Sequence, residues 1–72
     1  MEGNKLSPRQ AEVLTCAAKG LTAEETARVL GITTHMVRDY VGRARERLGA
    51  PSLPSACAMA VWTGQVRLDG EP

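Results

Sequence analysis

A chain of 72 residues with 43% hydrophobic and 24% charged side chains reads as one small globular domain, too short for a second module and too apolar for a disordered segment. Tyr40 and Trp62 are its only aromatic residues, so the core must be built from Leu, Val, Ile, Ala and Met, which suits close helix packing and weighs against an all-β fold. Cys16 and Cys57 lie far apart in Ala-rich stretches and read as buried thiols instead of a disulfide, while His35 alone gives too few ligands for a zinc site, so no metal or cofactor is expected.

The first helix should begin at Pro8, with Ser7 as its N-cap, and run to Lys19 before Gly20 stops it. Ala11, Leu14, Ala17 and Ala18 form its apolar face, bracketed by Leu6 and Leu21. Thr22 opens a second helix, because Glu25 stands three residues on to complete a capping box and Glu24 favours the positive helix end. Ala23, Ala27 and Leu30 give this helix a short apolar face, and Gly31 ends it.

Only Ile32 and Thr33 separate Gly31 from a third helix, capped by Thr33 or Thr34. A joint that short makes two helices cross steeply, which is the geometry of a helix-turn-helix. Val37, Val41, Ala44 and Leu48 align on one stripe of the third helix. At about 100° per residue the opposite face carries His35, Asp39, Gly42, Arg43 and Glu46, with Arg38 on its flank. After Gly49 and Pro51, Ser52 is placed to cap a fourth helix with Pro54 in its first turn. That helix is apolar nearly all round, from Leu53 through Cys57, Met59, Ala60 and Val61 to Trp62, so something should cover its outer side. Gly64 ends it, and residues 65 to 72 read as a flexible or loosely docked tail beyond a core of about 6 to 64.

Charge distribution carries more than the total of +1: five arginines against Asp39 and Glu46 fall between Arg28 and Leu48, whereas both flanks are slightly acidic. Such a run is either a solvated helix face or a nucleic-acid footprint. On a helix-turn-helix, Arg38 could reach a guanine edge or a phosphate, and Arg43, Arg45 and Arg47 could neutralise phosphates. Tyr40 either packs or joins His35 in contacting DNA. Asp39 and Gly42 point where base-reading side chains belong without being usual donors, and an acid there repels phosphate, so modest single-domain affinity raised by dimerisation is expected. Residues Thr34, His35, Arg38, Asp39, Tyr40, Gly42, Arg43, Arg45 and Arg47 are thus the candidate DNA-facing set. Leu53, Cys57, Met59, Ala60, Val61 and Trp62 are the candidate homodimer contact, with an ordinary core helix as the other reading. Glu12, Glu24 and Glu25 have capping or packing roles, no nucleophile and base arrangement is visible, and an enzyme is not expected. Met1 to Asn4 do not begin a signal segment and no stretch is long enough to span a bilayer, so a cytoplasmic protein is expected.

The run Leu6 to Leu14, then Gly20 to Ala27, Leu30 to Thr33, Val37-Arg38 and Leu48-Gly49, followed by Ser52, resembles the LuxR/GerE-type DNA-binding domain along nearly the whole chain. The resemblance implies an all-α, four-helix domain whose third helix recognises double-stranded DNA and whose fourth forms the usual dimer contact. By position it makes Arg38 a DNA-contacting basic residue, sets Tyr40 where a phosphate-contacting histidine often stands, and makes Arg43 a polar DNA-facing residue. Asp39 and Gly42 depart from its pattern. Val41 to Leu48 is also similar to the end of a sigma-factor region-four domain, but the continuation from Gly49 to Trp62 favours the LuxR/GerE type. Members of that family normally carry a receiver or ligand-binding domain ahead of this module, so the expectation is a stand-alone regulator controlled by its abundance. The alternative is an interaction module that docks on transcription machinery such as RNA polymerase.

Overall fold

Four helices follow one another: α1 (Pro8–Ala18), α2 (Ala23–Leu30), α3 (Thr34–Leu48) and α4 (Leu53–Trp62). They are seen in a computed structural model that describes residues 5–68 and contains no strand among them. Met1 to Asn4 and residues 69–72, where the absence of a signal segment and part of the loose tail were expected, lie outside the described residues.

Each helix starts where a side chain satisfies an otherwise orphaned backbone donor. In α1 the Gln10 N–H donates to Ser7 Oγ and the Ser7 N–H donates back to Gln10 Oε1, a capping box whose second half the sequence reading did not include. Thr22 and Glu25 exchange the same two bonds at α2, at 3.1 and 2.8 Å. Thr33, not Thr34, caps α3 by accepting from the Met36 N–H, and Ser52 caps α4 by accepting from Ser55. The α2–α3 elbow turns on Gly31, whose φ of 71° and ψ of 34° lie in the left-handed region.

The interior divides in two. Leu14, Ala44, Leu48, Ala56, Ala60, Leu6, Ala50 and Val66 form the larger cluster, which holds α1, α3 and α4 together. Val13, Ala27 and Val37 form the smaller one beneath the elbow, with Leu30, Ile32, Tyr40 and Val41 against it. Val13 and Leu14 are adjacent in sequence and 100° apart on α1, so this helix feeds both clusters and fixes α2 and α3 relative to α4.

This corrects the expected face of α1: Gln10, Val13, Leu14 and Cys16 are the buried residues, and the small side chains of Ala11, Ala17 and Ala18 are only partly covered. A helix wedged between neighbours on two sides buries a wider arc than a single stripe predicts. The tail also differs from expectation at its first residues. Val66 is 2% exposed in the larger cluster, and the Leu6 N–H donates to Gln65 Oε1 at 2.6 Å, so both sit firmly on the domain. Cys16 and Cys57 are free thiols. Cys57 directs its S–H at the Leu14 carbonyl, and burial pushes its pKa up.

Candidate nucleic-acid interface

Burial of Val37, Ala44 and Leu48 orients α3, so the opposite side of the helix stands in solvent. His35, Arg38, Asp39 and Arg43 are exposed there, Glu46 continues the same side, and Gly42 lies half-buried between them. Among the described residues α1, α2 and α4 pack on the stripe beneath, and α1 reaches the outward side at its far end, where Gln10 lies beside Arg43 and Glu46. Thr34 is half-buried in the first turn. Met36 was absent from the candidate set, yet it is exposed in that turn as well. Its position one residue before the buried Val37 turns it about 100° off the stripe, a signal already present in the helical period.

The arginines differ in how much of each is free. Arg38 is exposed and stands at the rim of an apolar groove formed by residues including Val13, Val37, Val41 and Leu53. Arg43 donates from Nε to Asp39 Oδ2 at 2.9 Å, one turn back along the helix. Arg45 is half-buried, donates from Nη2 to the Pro51 carbonyl at 2.7 Å and has a buried Nε with no partner, so it fastens α3 to the turn before α4. Arg47 donates to the Lys5 carbonyl at 2.9 Å across the start of α1. Together with Gln10, Arg43 and Glu46 it lines a shallow polar depression beside the α1 N-terminus. Tyr40 rests half-buried against the Val13, Ala27 and Val37 cluster, which satisfies the packing reading of its ring.

The candidate dimer residues separate onto different surfaces. Trp62 is 89% exposed, and it shares an open hollow with Cys57, Ala58, Val61, Leu68 and Ala18. Met59 is exposed on the same helix. Leu53 faces the groove near Arg38 and packs on the larger cluster. Ala60 is a correction to the candidate set: at 0% exposure it is a core residue of the larger cluster, and no partner could touch it without opening the monomer. No helix among the described residues is long and apolar enough to cross a membrane.

A family model described as "GerE: Bacterial regulatory proteins, luxR family" matches residues 4–60 of the chain. Over 65 residues the chain is 38% identical to the HTH-type quorum sensing-dependent transcriptional regulator RpaR of Rhodopseudomonas palustris, a match that covers 90% of this chain and 27% of that protein. It is 39% identical to the transcriptional activator protein YukR of Yersinia ruckeri over 56 residues, 78% of this chain and 24% of that one. With the transcriptional activator protein EchR of Dickeya chrysanthemi it shares 37% identity over 60 residues, 83% and 24% of the two chains. The chain thus spans about a quarter of the length of the relatives it matches.

Proposed function

The chain belongs to the luxR family of bacterial regulatory proteins, a family of transcription regulators and not of enzymes, and from that premise we propose that it binds double-stranded DNA by laying α3 in the major groove. The observation that carries this reading is the free outward side of α3, polar and arginine-bearing, held away from the body by the Gly31 elbow. A helix so presented fits the groove while α2 crosses near the backbone. Arg38 and Arg43 then contact bases or phosphates, with His35 and Thr34 beside them. Arg45 and Arg47 lend charge near the backbone from positions already anchored to Pro51 and Lys5, so they need no reordering on binding.

Dimerisation through the exposed end of α4 belongs to the same proposal. Trp62, a large rigid ring standing 89% exposed, is the residue best placed to anchor that self-contact. Two domains so joined engage paired half-sites, which raises a modest single-domain affinity by avidity.

The test is duplex binding by fluorescence anisotropy across a salt series, on the wild-type chain and on Arg38→Ala with Arg43→Ala. The expected result is an affinity that falls linearly in log K against log salt, with a shallower slope and at least tenfold weaker binding in the double variant. Binding that ignores salt, or a chain that binds RNA polymerase and no duplex, would favour the interaction-module reading over this one.

A further inference from the structure

Three arginines lie in the second half of α3, and only one presents its guanidinium outward while held in place. Arg45 and Arg47 donate to backbone carbonyls of their own monomer, whereas Arg43 is held by a side chain on the same outward face. The bond engages Nε alone, which leaves the two terminal nitrogens of Arg43 without another hydrogen bond among the described residues. A guanine presents O6 and N7 side by side in the major groove and accepts two parallel N–H bonds from such a fork. Building on the DNA-binding reading above, we infer that Arg43 reads a guanine and that Asp39 is its positioning residue, holding the guanidinium plane so that the fork is already aimed.

Two observations support the pairing over a chance surface contact. The pair is exposed, with side chains 65% and 54% accessible, and an exposed ion pair one helical turn apart adds little to folding, so stability does not account for it. Gly42 then stands beside it, in the middle of a helix where glycine is unfavourable relative to alanine. A Cβ at Gly42 would meet nothing within 4 Å, so packing inside the monomer does not require the glycine. Its bare backbone lowers the outward face next to Arg43 and lets a duplex approach until the fork reaches the base edges. The same arrangement resolves the presence of an acid facing a polyanion, because the Asp39 charge is spent on Arg43 and is shielded from phosphate.

Selection from a randomised duplex library decides it, run on the full chain for the wild type, Asp39→Ala, Asp39→Asn and Arg43→Lys, with circular dichroism confirming that each variant folds. The wild type should enrich a guanine at one position per half-site. Asp39→Ala should lower that preference about tenfold, and Arg43→Lys should weaken it, because an ammonium still donates to O6 or N7 but cannot form the planar fork or keep the Nε bond to Asp39. Asp39→Asn should lie between, since an amide oxygen still accepts from Nε without the charge. Asp39→Ala binding every duplex more tightly with its preferences intact would overturn the inference, since Asp39 would then be a repulsive bystander. A wild type that binds duplexes without any guanine preference, or an Arg43→Lys variant that keeps it undiminished, would overturn it equally, with DNA binding left standing. No salt-sensitive duplex binding by the wild type would remove the parent reading and the inference together.

Discussion

Replacing Gly31 with alanine measures what the elbow demands of the backbone. At φ 71° and ψ 34° an L-residue is disfavoured by about 1–2 kcal/mol, because its Cβ crowds the following carbonyl. Alanine also restricts the unfolded chain, which returns about 0.4–1 kcal/mol at positions without strain. No further steric cost is expected, since a Cβ at this position meets nothing within 4 Å. The net is a loss of about 1 kcal/mol, out of roughly 4–11 kcal/mol for a domain of this size. That corresponds to a fall in Tm of about 4–8 °C. Urea unfolding followed by circular dichroism should show a lower midpoint at unchanged slope, with Gly31→Asn losing less because asparagine tolerates this region better. Gly49, at φ 68° and ψ 30° with equally open surroundings, serves as the matched control and should lose the same amount. A neutral or stabilising Gly31→Ala would refute the left-handed turn. A loss above about 3 kcal/mol would refute the open space around it.

Leu14→Ala removes a side chain with no exposure from the cluster that joins three helices, and it should cost about 2–5 kcal/mol, leaving much of the chain unfolded at 37 °C by calorimetry. Trp62→Glu should leave the Tm nearly unchanged at concentrations where the parent is monomeric, because the ring is exposed in the monomer, while at higher concentration sedimentation shifts to the monomer mass; an unchanged mass relative to a dimeric parent would end the α4 contact. The Cys57 thiol, raised by burial, should react with alkylating reagents more slowly than an unfolded-chain thiol near pH 8. In linkage terms the unfolded thiol ionises first as pH rises, so the contribution of Cys57 to stability is intact below the ordinary thiol pKa of about 8.5 and is lost above it. Urea midpoints that rise between pH 8 and 10 for the wild type relative to Cys57→Ala would contradict that sign.

Helix starts and stops were legible because each depends on residues within four positions of one another. Thr22 with Glu25, Gly31, and Ser52 before Pro54 all act where the sequence places them. The outward side of α3 was equally legible, since Val37, Ala44 and Leu48 fix its rotation by spacing alone. What local pattern could not supply was any contact made across the chain. Val13 is buried because it meets Ala27 of α2 and Val37 of α3 in one cluster, a fact of packing that a single periodic stripe does not contain. Arg45 and Arg47 looked like interchangeable cations in a basic run, and only the fold shows their guanidinium groups bound to Pro51 and Lys5. Ala60 and Trp62 read alike as apolar residues of α4, yet their two-residue separation turns one inward and the other to solvent.

The hydrogen bond from Leu6 to the Gln65 side chain joins positions 59 residues apart, next to Val66 in the cluster that α4 also enters. Displacement applied at Leu6 is therefore delivered to the seats of α3 and α4 together, because Leu6 shares its cluster with Ala44 and Leu48 as well as Ala56 and Ala60, and the neighbouring Lys5 carbonyl accepts from Arg47.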